Sequence, residues 1–367
     1  MLFKKLILSL VVALSIINPI AAYAITLIPG GDSIGIELDY QGVVITGGYE
    51  VKTTDGTYNP LENEFKIGDK IIEIEGKKVT AINELSEIIK NSGNLKENFD
   101  VTVIRNNKEI HKTLKVVYES NQFTTGLYVK DAINGVGTIT FYNPDKQSFG
   151  ALGHAMEDTT LNSDLLQSGK IFESTVTSIK KATPNHSGNK IADISNVEIG
   201  SINSHNQFGI YGTYNYDIFK RESMETANID EIELGKAYFL TVLDGQKIQK
   251  CEIEITKLNK QDSINEKGIE FKVTDQAVTK QANGIVQGMS GSPIIQNGKI
   301  IGCVTHVSGN NPMLGYGLYI ESGRGTDRCR GGNTGCQCRC TVFGWIGSVA
   351  GFSEKTPSHH RNTVADR

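Results

Sequence analysis

The chain has no surplus of positive charge. Its 37 Lys and Arg are outnumbered by 41 Asp and Glu, for a net charge of −4. With no basic field to neutralise phosphates, nucleic acid is excluded as a partner class at this level. Cysteines are also scarce where a fold would use them: of six, only Cys251 and Cys303 lie in the body of the chain. That excludes a disulfide framework for the body. Cys303 follows Ile300-Ile301-Gly302 in an apolar run, so both thiols read as buried small hydrophobes. Long uncharged runs are missing beyond the N-terminus, which excludes a bundle of membrane helices. No metal and no cofactor is expected.

Glycine, in contrast, is abundant at 39 residues, and Val, Ile and Thr recur in short runs between glycines and asparagines. Such a pattern predicts mainly β structure with many turns. At the N-terminus Lys4-Lys5 precede an uncharged stretch from Leu6 to Ala22, and Ala22-Tyr23-Ala24 has the small-x-small form of a signal cleavage site. Residues 1–24 are expected to be a signal peptide, with a retained membrane anchor as the rival reading. Pro19 and Pro29 argue against a regular spanning helix. Either way the protein is expected outside the cytoplasm.

From Phe65 to Val79 apolar and polar residues alternate about Gly68-Asp69, which describes two short strands. Thr80 is placed to cap a helix in which Ile82, Leu85, Ile88 and Ile89 recur at helical spacing, and Gly93 can end it. This segment resembles a PDZ domain, expected over residues 30–118. The resemblance implies a peptide groove in which Ser33-Ile34-Gly35-Ile36-Glu37-Leu38 presents backbone N–H groups and a free strand edge, facing a helix. Ile34, Gly35, Ile36, Leu38, Leu85 and Ile89 are the implied peptide-binding residues.

Chemistry concentrates later, at two places. One is Gly150-Ala151-Leu152-Gly153-His154-Ala155, where small residues let backbone or substrate approach an imidazole. The other is Gly288-Met289-Ser290-Gly291-Ser292-Pro293, followed by Ile294-Ile295-Gln296-Asn297-Gly298-Lys299-Ile300-Ile301-Gly302-Cys303-Val304-Thr305-His306. A serine between glycines can sit on a strained turn with its hydroxyl exposed. The N–H groups of Gly288 and Ser290 can then point at one spot as an oxyanion hole. The segment resembles the nucleophile turn and following hairpin of chymotrypsin-like proteases, with Met289 and Ser292 departing from their pattern. A serine hydroxyl needs a base, which His154 can supply. The chain between them leaves room for most of two β barrels. Asp158, Asp193, Asp217 and Asp275 are the candidate carboxylates to orient the imidazole, and spacing does not choose among them.

Taken together, the signal segment, the PDZ-like module, Gly153-His154-Ala155 and Gly284-Ile285-Val286-Gln287-Gly288-Met289-Ser290-Gly291-Ser292-Pro293 are similar to the stage IV sporulation protein B family. The resemblance runs from the first residue to about Glu321. It implies a small PDZ-like α+β domain followed by a chymotrypsin-like double β-barrel protease domain over 119–321. It also implies a catalytic set of His154, Asp275 and Ser290. Members are secreted serine peptidases of spore-forming bacteria that cleave themselves. They also cut a membrane protein restraining an intramembrane protease, which activates a late sigma factor. The implied location is the space between forespore and mother-cell membranes.

Residues 322–367 do not fit that pattern. They carry Cys329, Cys336, Cys338 and Cys340 at a spacing matching no common zinc motif, and they are expected to be foreign to the family sequence. A reading from a different class is an exported scaffold, with a PDZ module and a protease-like domain that only binds. His154, Asp275 and the entire Ser290 turn stand together against it.

Overall fold

A computed structural model describes residues 25–320, apart from 54–55, 93–95, 120–121, 157–167, 217–219 and 260–265. The signal segment, Gly93, Asp158, Asp217 and the cysteine-rich tail lie outside the described residues.

The described chain is mostly strand. After a short strand at Thr26–Pro29 comes β1 (Ser33–Gly48), a long strand that bends where Gln41 takes a left-handed φ of +54°. A small unit follows: β2 (Lys70–Ile74), α1 (Ile82–Asn91), β3 (Asn98–Arg105) and β4 (Lys108–Lys115). Its core holds Val43, Ile71, Leu85, Ile89, Phe99 and Val101. Leu85 and Ile89 lie one turn apart on α1, so one face of that helix is apolar and packs on the sheet. Thr80 stands just before the cap residue Ala81, and its N–H and hydroxyl both donate to Glu84, which reaches back in a capping arrangement.

The chain returns in β5 (Leu127–Asn143), which pairs with β1 along nearly its whole length. Then come β6 (Ser148–Leu152), β7 (Ser168–Lys180), β8 (Asn189–Asn206) and β9 (Gly209–Tyr214). Antiparallel pairing runs β1, β5, β6, β9, β8, β7 and back to β1, which closes a ring. Ile34, Ile36, Leu38, Ile139, Ile171 and Ile210 fill its interior.

A second barrel comprises β10 (Gly235–Val242), β11 (Ile248–Leu258), β12 (Ile269–Val273), β13 (Pro293–Gln296), β14 (Lys299–Ser308) and β15 (Asn311–Tyr319). It closes in the order β10, β11, β12, β15, β14, β13 around Phe239, Ile253, Ile269, Phe271, Ile294 and Val304. Between β12 and β13 lies α2 (Gln276–Ala282). Closing both sheets removes the exposed edges that open antiparallel sheets must protect. The expected mainly β, double-barrel architecture is present.

One expectation is corrected. Ile34, Gly35, Ile36 and Leu38 were placed on a free edge that accepts a peptide. They pair instead with residues 133–137 of β5 on one side and 169–173 of β7 on the other, and their backbone has no open edge. Leu85 and Ile89 are core of the small unit. Alternation identifies a strand but not its neighbours, and here the first half of β1 belongs to the barrel while its second half, at Val43 and Val44, joins β2. Beside α1 the register of β5 shifts, and Asp131 accepts a 2.8 Å bond there from the Ile82 N–H.

Candidate active site

The turn before β13 is built from its glycines. Gly288 and Gly291 adopt φ of +90° and +92°, a region that side chains disfavour. A Cβ on Gly291 would lie 2.1 Å from the Thr138 carbonyl oxygen, so the first barrel approaches too closely for any side chain. Asn297 and Gly298, at φ +51° and +75°, form the tight hairpin turn that sends β14 back along β13.

The first barrel grips this turn from behind. The Thr138 N–H donates to the Ser290 carbonyl at 3.1 Å. Thr138 Oγ1 donates to the Gly288 carbonyl at 2.7 Å and Thr140 Oγ1 to that of Gly291 at 2.6 Å. Two further bonds set the peptide planes that matter chemically. Lys190 N–H donates to the Gln287 carbonyl at 2.9 Å, so the Gly288 N–H in that plane points the other way. Ser292 N–H donates to the Met289 carbonyl at 3.0 Å, which does the same for the Ser290 N–H. Among the described residues neither N–H has an acceptor. Two oriented donors left open beside a serine can receive a developing oxyanion.

Ser290 is half-buried and lines a cleft of about 430 Å³ together with His154. Ile36, Val136, Leu152 and Met156 supply apolar wall, and Gln287, Gly288 and Lys190 complete the side next to the serine. Ser290 Oγ donates to the Thr305 carbonyl at 2.9 Å, so its proton is held there rather than by an imidazole. Ser292 is fully buried and among the described residues its hydroxyl has no partner, which removes it as a nucleophile.

His154 follows β6 through Leu152 and Gly153, both with φ of +78°. For leucine that conformation is strained, and it turns the chain sharply off the end of the strand. His154 Nδ1 lies 2.7 Å from the Ala155 carbonyl oxygen. A carbonyl can only accept, so Nδ1 carries the proton and Nε2 offers a lone pair. His306 packs against it, with ring centroids 5.3 Å apart. Burial, then His154 and Lys267, push the His306 imidazole down to about 4, so it is neutral near neutral pH. Its Nε2 is 3.7 Å from a Glu266 carboxylate oxygen, too far for a hydrogen bond.

Asp275, expected to orient His154, is elsewhere. It is the N-cap of α2: Oδ1 accepts from the N–H groups of Ala277 at 2.8 Å and Val278 at 3.0 Å, and Oδ2 from that of Glu252 at 3.2 Å. A carboxylate so occupied, and absent from the cleft lining, does not contact the imidazole. Asp193 is exposed on β8. Asp275 bears on the turn by another route. The end of α2 holds the tip of the β7–β8 hairpin, through Ala182 N–H to the Ala282 carbonyl at 2.9 Å and Asn283 Nδ2 to the Ala182 carbonyl at 2.9 Å. That hairpin then bonds Gln287 from Gly188 and Lys190.

The sequence therefore brought forward His154, Ser290 and Gly288, which meet here, and missed Thr138, Lys190, Thr305 and His306. Only His306 carried a signal, as a histidine on the second strand of the hairpin that follows the serine.

No curated protein matches the chain. Among solved structures, a crystal structure of Rv3671c from M. tuberculosis H37Rv, a serine-to-alanine mutant in an inactive form, matches with 12% identity and a TM-score of 0.27. The match covers 50% of this chain and 76% of that one. The family model for SpoIVB peptidase S55 matches residues 121–323, which take in both barrels after β1, the His154 turn and the Ser290 turn. The chain thus belongs to the SpoIVB peptidase S55 family of serine peptidases.

Proposed function

We propose that Ser290 is the nucleophile of this peptidase, His154 its general base, and the N–H groups of Gly288 and Ser290 its oxyanion hole. The observation that carries this reading is the pair of unengaged N–H groups flanking a serine, in the same cleft as an imidazole with a free Nε2. Substrate entry swings Ser290 Oγ off the Thr305 carbonyl. The oxygen attacks the scissile carbonyl carbon while Nε2 takes its proton, and the oxyanion forms on the two N–H groups. The imidazolium then protonates the leaving amine nitrogen. Water repeats the sequence on the acyl-enzyme and regenerates Ser290.

The natural setting in this reading is outside the cytoplasm, between the membranes of a developing spore. The substrates are the chain itself and a membrane-anchored regulator of an intramembrane protease. Support comes from the N-terminal segment and from membership of the SpoIVB peptidase S55 family. The small unit around Gly68-Asp69 is PDZ-like in its hairpin and helix. Its part is to set β1 and β5, the two strands it shares with the first barrel, rather than to take a peptide at Ile34–Leu38. The test is labelling of purified protein by a fluorophosphonate probe together with self-cleavage. Ser290→Ala abolishes both and Ser292→Ala retains labelling; equal labelling of wild type and Ser290→Ala rejects the assignment.

A further inference from the structure

Lys190 is a buried amine that the reaction above does not use. It is 4% exposed, and among the described residues no carboxylate pairs with it. The titratable group that acts on it is the Cys251 thiol on β11, itself pushed up to about 12 chiefly by burial and therefore neutral. Burying an amine without an acid is expensive, and a methionine would fill the same space at lower cost. Packing therefore does not account for a lysine here, whereas its contacts do.

The stem of Lys190 lies against Gly288: a Cβ on that glycine would be 3.1 Å from Lys190 Cδ. At its end Nζ donates to Thr241 Oγ1 of β10 at 2.8 Å and reaches Thr138 Oγ1 of β5 at 3.4 Å. Thr138 has one hydroxyl proton and gives it to the Gly288 carbonyl at 2.7 Å. Its oxygen can then only accept from Nζ. The chain of bonds therefore runs in one direction, from Lys190 to Thr138 to Gly288, and Thr241 ties it to the other barrel.

We propose that Lys190 is a positioning residue for the oxyanion turn: its side-chain nitrogen, braced on Thr241, fixes the Thr138 hydroxyl that pins the Gly288 carbonyl. Burial pushes this amine down to about 7, and either protonation state retains protons to donate. The inference rests on Ser290 being the nucleophile. It adds that the two barrels are locked at the oxyanion hole by a buried amine.

The experiment measures inactivation of the full chain by a fluorophosphonate probe, resolved into the limiting rate kinact and the half-saturating concentration KI. Lys190→Met lowers kinact by about tenfold to a hundredfold and leaves KI within about twofold, while melting at or above the wild-type temperature. Thr138→Val behaves like Lys190→Met, Thr138→Ser keeps wild-type kinact, and the Lys190→Met/Thr138→Val double variant is little worse than either single one because they break one chain. Wild-type kinact in Lys190→Met overturns the inference, as does a loss carried by KI. Should Lys190→Met not fold, equal kinact in Thr138→Val and Thr138→Ser overturns it. A wild-type chain that takes no label overturns the assignment of Ser290 instead.

Discussion

His154 donates its Nδ1–H to the carbonyl of Ala155, its own neighbour in the chain, at 2.7 Å. This one bond sets the tautomer that a serine peptidase needs, with the Nε2 lone pair free to take the serine proton. A carbonyl is neutral, however, and stabilises the imidazolium that forms in the reaction less than a carboxylate would. Among the described residues the cleft thus brings together Ser290 and a histidine held by backbone, the pair proposed as nucleophile and base, while Asp275 sits in a helix cap outside it.

That arrangement separates two roles for Asp275. A cap needs only a side-chain oxygen that accepts from the helix N–H groups, which Asn and Ser also provide. Asp275→Asn and Asp275→Ser are therefore expected to retain probe labelling within about threefold, whereas Asp275→Ala loses about 1 kcal/mol of stability and more of the labelling. A carboxylate bonded to the imidazole would behave differently, since Asn there favours the wrong tautomer and costs about 10⁴-fold. Labelling rates of the three variants decide between these outcomes.

His306 should make itself felt in acid. Its imidazole is lowered from the ordinary 6.5 to about 4, chiefly by burial. As pH falls from about 6.5 to about 4, the unfolded chain takes up a proton at this residue that the folded chain does not, so stability drops across that window. His306→Phe keeps a ring against His154 and removes the titration. Urea unfolding near pH 7 and near pH 4.5 is expected to show a smaller acid-induced loss in the variant than in wild type.

Two glycines with similar φ make a contrast. Gly291 stands between the Thr138 carbonyl oxygen and the Leu152 amide nitrogen, 2.1 and 2.5 Å from where a Cβ would be. Gly298, at the hairpin tip, has nothing within 4 Å. Gly298→Ala bears only the cost of its left-handed backbone, about 1 kcal/mol. Gly291→Ala must also push two backbone segments apart, costs about 3 kcal/mol or more and abolishes labelling. Chemical denaturation of the pair measures the difference.

The sequence showed those parts of the site that depend on local backbone. Glycines that must turn left, an Asn297-Gly298 hairpin and a serine between them are readable because the reason for each residue lies within a few positions of it. Asp275 stands just ahead of Ala277, Val278 and Ala282 at helical spacing, a local cap signal that the sequence reading did not use, because the family resemblance implied a catalytic role for it. Ile34 to Leu38 was visible as a strand; its two partners, residues 133–137 and 169–173, lie far along the chain, and alternation holds no information about them. Lys190 was invisible. Nothing around it differs from a solvated lysine, and only closure of the barrels over it makes its nitrogen a buried group.

The pH dependence of folding should expose that burial. With the Lys190 amine lowered from 10.5 to about 7, both folded and unfolded chains hold its proton below about pH 7, and neither does above about 10.5. Between those limits the unfolded chain keeps a proton that the folded chain has lost, so stability rises with pH, by an amount on the order of a few kcal/mol across the window. The direction is opposite to that of a lysine gaining an acidic partner. Other groups titrate in the same range, Cys251 and the tyrosines among them, but they are common to wild type and Lys190→Met. Subtracting the two stability–pH curves isolates this residue together with its coupling to Cys251. The difference should favour the methionine variant most near pH 7 and shrink toward pH 10; a flat difference would mean that the amine is solvated, and would remove the physical ground for treating it as a buried brace.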